Sequence, residues 1–283
     1  MPVPGLEVGV NVGRWAIAFA TLLLLIAIGY WVAIGGFMPP AAPAWLTAKP
    51  FAHRGNHLDM QHPENSLAAF KLAVQRGEGI ELDVHLTADG QVVVMHDDDL
   101  SRMTGDPRRI AQTDFADIRA LRLAGTAEQI PTLAEVLSSV HGRVPVIVEI
   151  KSRGAAGPLE DEVASQIKAY QGEIAVTSFS PFSLARMASL VPNVPRGQIT
   201  GLFIDAGLPD WQVFALQRLL LNVISRPAFI VNDLATVPSW DNSLQRALGR
   251  KVLVYAPEDA AGARFALQNA DNFIGNPGSL LAP

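Results

Sequence analysis

Glu81 and Asp83 stand two residues apart in the run Gly-Ile-Glu-Leu-Asp-Val at 79–84. Side chains at i and i+2 of a strand point to one face. The two carboxylates therefore lie side by side, backed on the other face by Ile80, Leu82 and Val84. Adjacent like charges repel, and burying them is costly unless something cationic stands between them. A hard cation bound through oxygen meets that need. The pattern recurs in Val-Ile-Val-Glu-Ile-Lys at 146–151, where Glu149 and Lys151 share a face. Two histidines at strand ends, His53 and His96, and the adjacent Arg54 complete the set. Such an inventory suits phosphoryl chemistry. Carboxylates hold a metal, Arg54 and Lys151 hold a phosphate, and imidazoles with a pKa of about 6.5 move protons near neutrality.

A bland alternative is a salt-bridged interior. Three carboxylates against two cations, Arg54 and Lys151, leave one negative charge unmatched, which favours Glu81, Asp83 and Glu149 as metal ligands. All-oxygen ligands suit Mg2+ or Ca2+ better than zinc. Glu64 reads as a support or backbone clamp beside the site, and Asn65 as a helix cap. Phe179, within Ser-Phe-Ser at 178–180, shapes the pocket rather than reacting. His57, His62, His85 and His141 read as structural.

These residues need elements to position them. Strands are expected to begin at 51, 79, 145, 174, 196, 228, 251 and 272, with helices between them. Eight alternating βα units argue a parallel sheet closed into a TIM (β/α)8 barrel, and the charged residues fall near the strands' C-terminal ends, where barrels place their chemistry. Ala88-Asp89-Gly90 is a turn, so Val92–Met95 returns as a hairpin partner of the second strand. The polar stretch 98–129, holding one short helix around Asp114–Leu121, is an expected insertion over the barrel mouth. Thr132 and Glu135 make a capping box for a helix over 133–140. A helix over 210–224 is apolar all round, which predicts packing against both neighbouring helices; the sharper reading is a surface resting on a membrane. Only Asn276 to Pro283 follow the last strand, so an eighth outer helix is not expected, and the linker before Phe51 is expected to cover part of that gap.

The segment 15–37 carries no charge. As a helix it would extend about 35 Å, enough to cross a hydrocarbon core of about 30 Å. It is too long for the apolar core of a signal peptide, about 7–15 residues, so an uncleaved anchor is expected. Residues 1–14 form a tail, 38–50 a Pro/Ala linker and 51–283 the barrel domain. Arg14 before the span and Lys49 after it give a weak charge bias that puts the catalytic domain on the extracytoplasmic side. A net charge of −5 and pI near 5.7 leave no basic stripe for nucleic acid. Absent cysteines exclude disulfides and thiolate metal sites.

His-Arg-Gly (53–55), Pro-Glu-Asn-Ser (63–66), Glu-x-Asp-Val (81–84), Thr-x-Asp-Gly (87–90), His-Asp (96–97), Ile-Pro-Thr-Leu-x-Glu-Val-Leu (130–137), Glu-Ile-Lys (149–151) and Ser-Phe-Ser occur in one order. This ordered set resembles the glycerophosphodiester phosphodiesterase family, whose members are TIM-barrel phosphodiesterases related to phosphatidylinositol phospholipase C. The resemblance covers roughly residues 51–200. It implies a divalent ion at Glu81, Asp83 and Glu149, and an acid–base pair of His53 and His96 without saying which is which. It implies hydrolysis of glycerophosphodiesters to sn-glycerol 3-phosphate and an alcohol. Near the end the chain departs from the family's pattern, with Val254-Tyr255-Ala256-Pro257 and Ile274-Gly275-Asn276-Pro277, which bears on the leaving-group pocket. Two other readings stand beside this one: a lysophospholipase D acting on membrane lysolipid, and a non-catalytic membrane-tethered binding module.

Overall fold

The computed structural model describes residues 7–276 apart from Met38, Leu58, 153–154 and 205–206. In chain order the elements are α1 (Glu7–Ala33), β1 (Phe51–Ala52), α2 (Leu67–Arg76), β2 (Gly79–Leu86), β3 (Val92–Val94), α3 (Ser101–Thr104), α4 (Phe115–Ala120), α5 (Leu133–Val140), β4 (Val146–Ile150) and α6 (Pro158–Ala169). Then follow β5 (Ile174–Ser178), α7 (Pro181–Leu190), β6 (Arg196–Thr200), α8 (Asp210–Gln217), α9 (Asn222–Ser225), β7 (Phe229–Asp233), α10 (Trp240–Ala247), β8 (Lys251–Tyr255), α11 (Ala260–Asn269) and β9 (Asn272–Gly275).

Eight of the described strands run parallel and close on themselves, because β1 pairs with both β2 and β9. β3 pairs antiparallel with β2, as the turn at 88–90 requires. The strand period of two sorts the side chains. Ile80, Leu82, Val84, Val146, Val148 and Ile150 face outward into one apolar layer with the helices. Ile147, Ile199, Phe229, Val231, Leu253 and Ile274 fill the interior. The capping signals work as read. Ser66 caps α2, Gly77 ends it at φ 66°, and Thr132 and Glu135 cap α5 reciprocally. The insertion 98–129 builds its own small core from Leu100, Met103, Ile110, Ile118 and Leu123, against Val93 and Met95.

The Pro/Ala linker closes the base of the barrel. Ala44–Thr47 forms a 3-10 turn, and Leu46 is fully buried against Phe51, Ile147 and Ile274 inside the barrel. Asn272 fixes it by donating from Nδ2 to the carbonyls of Leu46 and Lys49 at 2.8 and 2.7 Å. The interior apolar layer needs a lid where the strands begin, and this segment is the nearest chain. The stretch 277–283, where an eighth helix was not expected, lies outside the described residues. Leu46→Ala should cost about 2–5 kcal/mol, as buried leucine truncations do, and lower the melting temperature by roughly 5–15 °C for a domain of this size. A calorimetric melt of the two proteins checks this.

The apolar helix begins at Glu7 and stops at Ala33, short of Phe37, because Ile34 buries itself and Gly35 turns at φ 67°. The expected helix 210–224 is two helices. Leu219, at φ 56°, breaks it and tucks inward. No α8 residue is buried, so packing against both neighbours does not account for its apolar surface.

Candidate active site

β2 and β4 are in register, with Asp83 opposite Glu149 and Glu81 opposite Ile147. That register brings the three carboxylates together at the C-terminal half of the barrel interior. One ligand oxygen from each of Glu81, Asp83 and Glu149 lies within 4.8 Å of the others, and all three residues are buried. Lys151 reaches them from the end of β4. Its Nζ lies 2.9 Å from Asp83 Oδ1 and 2.6 Å from Glu149 Oε1.

Arg54 occupies the left-handed region at φ 54°, a conformation that costs a non-glycine residue of order 1–3 kcal/mol and clusters at functional sites. The turn aims its backbone N–H at Glu81 Oε2, 3.0 Å away. It also places the guanidinium between Glu64, 3.0 Å from Nη1, and Asp83, 3.7 Å from Nε. Asn65 is no helix cap, since Ser66 fills that position. Asn65 sits at φ 56° and donates from Nδ2 to Asp83 Oδ2 at 2.9 Å. An Asn in a left-handed turn and a Ser in a cap are interchangeable on paper, which is why the sequence did not separate them.

The electrostatics follow from burial and charge count. Burial pushes the Glu81 carboxyl well above the usual range, and Asp83 and Glu149 push it further. Glu149 is raised chiefly by burial, against the pull of Lys151. Burial opposes ionisation of Asp83 as well, but Lys151 and Arg54 outweigh it and hold that carboxyl well below the usual range. Lys151 likewise loses to burial and regains more from Asp83 and Glu149, ending above the ordinary lysine value. Three carboxylates and two cations cannot all be charged in balance. A divalent cation would let Glu81 and Glu149 ionise, so the donor set fits one: oxygen ligands, converging, with a negative surplus.

His53 lies at the end of β1, its backbone N–H bonded to the Gly275 carbonyl at 2.7 Å. Burial, then Arg54, lower its pKa to about 3, so the ring is neutral at working pH. His96 follows β3, and its Nδ1 lies 2.7 Å from Asp97 Oδ1. That contact leaves Nε2 as the ring nitrogen not engaged by Asp97. Asp97 is held by Arg102, whose Nε donates to Oδ2 at 2.6 Å, and Arg102 Nη2 reaches Glu64 Oε1 at 2.6 Å. Burial raises Asp97, but Arg102 and His96 outweigh it, and its pKa falls to about 2. The insertion thus contributes Arg102 to a chain of contacts running Arg54, Glu64, Arg102, Asp97, His96.

Asp97 and Arg102 have no role in the sequence reading. The His-Asp dipeptide carried the signal for Asp97; nothing marked Arg102. Phe179 stands edge-on to Phe203 and Tyr255, with centroids 5.6 and 6.4 Å away, an aromatic wall in which Tyr255 comes from the divergent part of the chain. His85 Nε2 lies 3.1 Å from the His96 carbonyl. His62 pairs with Asp59 at 2.7 Å, and His141 ends α5.

Comparisons with known proteins identify one family. A family model described as the glycerophosphoryl diester phosphodiesterase family matches residues 53–268. A glycerophosphodiester phosphodiesterase of Caldanaerobacter subterraneus is 33% identical over 193 residues, covering 61% of this chain and 76% of that protein. Glycerophosphodiester phosphodiesterase 1 of Bos taurus is 34% identical over 173 residues, 55% of this chain and 51% of its own length. A Bacillus subtilis relative, 35% identical, is matched over 64% of its length. Among solved structures, an Oleispira antarctica phosphodiesterase in complex with the product sn-glycerol-3-phosphate superposes with a TM-score of 0.66 at 27% identity, covering 81% of this chain and 92% of that one. A Thermotoga maritima glycerophosphodiester phosphodiesterase gives 0.63 at 25% identity, covering 82% and 95%. With more than half its length inside the family model, the chain belongs to the glycerophosphoryl diester phosphodiesterase family, a family of phosphoric diester hydrolases.

Proposed function

We propose that this protein hydrolyses glycerophosphodiesters to sn-glycerol 3-phosphate and an alcohol, using a divalent cation held by Glu81, Asp83 and Glu149. The observation that carries this is the buried carboxylate triad with Lys151 and Arg54 around it. The bound cation would supply Lewis-acid polarisation of a phosphoryl oxygen. Arg54 and Lys151 bind the phosphate oxygens and steady the charge that builds on them. His53, neutral at working pH, accepts the proton of the attacking hydroxyl, from water or from the substrate's glycerol 2-hydroxyl. A substrate phosphate that pairs with Arg54 offsets that residue's share of the lowering, which makes His53 a better base when substrate is bound. His96, oriented by Asp97, gives a proton from Nε2 to the leaving alkoxide. Glu64 holds Arg54 in place, and the Phe179 wall borders the pocket.

Release of glycerol 3-phosphate from glycerophosphocholine and glycerophosphoethanolamine tests the reading. We expect turnover with Mg2+ or Ca2+ and its loss in EDTA. Folded protein inactive on both soluble diesters would refute it as stated.

Membrane anchoring belongs to the same reading. Val12–Ala33 is long and apolar enough to span a bilayer, and none of its most apolar window is buried in the protein. The exposed apolar α8 favours lysolipid as a second substrate class.

A further inference from the structure

The place where α1 meets the barrel fixes which end of the barrel it leaves from. The ring of Tyr30 lies 5.9 Å from that of Trp240, the first residue of α10. Since α10 follows β7, it starts at the mouth end. Five residues on from Tyr30, the Gly35 carbonyl accepts from Arg250 Nη2 at 2.7 Å. Arg250 immediately precedes β8, so it lies at the base. Between Tyr30 and Gly35 the chain therefore descends from mouth to base. The helix before Tyr30 points the other way, past the mouth. Residues 12–29 are exposed throughout, and at about 1.5 Å per residue they reach roughly 27 Å, close to the ~30 Å of a hydrocarbon core.

The mouth end also carries most of the barrel's exposed large apolar side chains. Ile204 is 74% exposed, Trp211 68%, Trp240 63% and Phe214 56%, joined by Phe182 in the first turn of α7 and Leu208 between β6 and α8. Phe37, Val223, Phe265 and Leu267 are the exceptions below the rim among the described residues. α8 ends level with the rim. Thr200 Oγ1, at the end of β6, donates to the Leu216 carbonyl at 3.1 Å, and Gln217 Nε2 donates to the carbonyls of Gly201 and Leu202 at 3.2 Å. Its earlier turns, with Trp211 and Phe214, therefore lie at or beyond the mouth. Tryptophan and phenylalanine in such a rim suit the headgroup boundary of a bilayer.

We propose that the barrel mouth faces the phospholipid bilayer that α1 spans, with Phe182, Ile204, Leu208, Trp211, Phe214 and Trp240 seated in its interface. The site then opens onto the leaflet and takes lysophospholipid from it. This rests on the anchoring and phosphodiesterase readings above. The two observations are independent: one is the direction of a helix, the other the location of an apolar rim, and they pick the same end of the barrel.

The chain has no cysteine, so single labels are unambiguous. We would place an environment-sensitive fluorophore on full-length Leu22→Cys, Trp211→Cys, Ile204→Cys and Glu173→Cys proteins. Each is reconstituted in phosphatidylcholine and phosphatidylglycerol vesicles containing lipids spin-labelled near the headgroup or along the acyl chain. Glu173 precedes β5 and marks the base. The proposal expects strong quenching at Leu22, by acyl-chain labels, and at Trp211 and Ile204, by headgroup labels, with none at Glu173. Quenching at Leu22 but at neither rim position overturns the orientation and leaves the anchor standing. No quenching at Leu22 removes the anchor and the proposal with it. None of these readings depends on catalysis, so failure of the phosphodiesterase assay is separately visible. A second measurement compares rates. In the Trp211→Ser/Phe214→Ser protein, the ratio of lysophosphatidylcholine turnover in vesicles to glycerophosphocholine turnover in solution should fall about tenfold from the lost apolar contact. An unchanged ratio overturns the proposal.

Discussion

Replacing His96 with alanine should lower kcat/KM by about 10²–10⁴-fold, the range general acid–base groups supply, and leave the melting temperature nearly unchanged. The ring is a third exposed, and its side-chain partner among the described residues is Asp97, so little packing is lost. His53→Ala should do the same to turnover. The two variants differ in what rescues them. A leaving group of low pKa departs without a proton, so a nitrophenyl phosphodiester should restore much of the rate to His96→Ala and little to His53→Ala. Asp97→Asn keeps a partner beside Nδ1 but changes its tautomer preference and weakens its link to Arg102, and should give an intermediate loss. Near-normal turnover in either histidine variant would remove that residue from the mechanism, and equal rescue of both would remove the assignment of roles.

A saturating divalent cation should stabilise the protein, and Glu81→Gln should abolish that effect without harming the cation-free fold. At about 100 times its dissociation constant, a ligand that binds only the folded state adds about 2.7 kcal/mol, or roughly 5–10 °C for a domain of this size. In the cation-free protein Glu81 and Glu149 are raised by burial and by like charge. A raised carboxyl keeps a proton in the folded state that the unfolded chain releases. Its contribution is full below the unfolded value of about 4.3 and is lost as pH climbs through the raised folded value. Melting in EDTA should therefore drop with rising pH over that window, while the increment from Mg2+ or Ca2+ should grow, since the cation displaces those protons. Glutamine at 81 removes one ionisable group from the crowd. The melting point in EDTA should hold or rise, and the cation increment should shrink to a small fraction. A Glu81→Gln protein with the full increment would show that the cation binds elsewhere.

The site was legible in the sequence wherever a strand carried it. Alternation alone put Glu81 and Asp83 on one face, and the register of β2 with β4 added Glu149 in the same layer. The eight strands were legible for the same reason: short apolar runs between turn and capping signals have one way to lie in a closed sheet. What stayed hidden depends on contacts far apart in the chain. Leu46 sits in a Pro/Ala stretch with no periodicity, and only the closed barrel supplies the cavity it fills. Arg102 reaches Glu64 across 38 residues through an insertion that has its own core. The break at Leu219 needs a left-handed residue that no glycine or asparagine announces.

The tie between Asn272 and Leu46 joins residues 226 apart, and the tie between Arg250 and Gly35 joins residues 215 apart. Synthesis delivers one member of each pair more than two hundred residues before the other. A ribosome making this chain therefore releases the apolar helix and the plug long before their partners exist, and until β9 emerges the barrel has an open seam on both sides of β1. Long-range closure of this kind is slow and leaves unpaired strand edges in the open. Nascent chains stalled before that strand would be expected to depend most on holding factors, and early stop codons in this message would leave products with no seam to close.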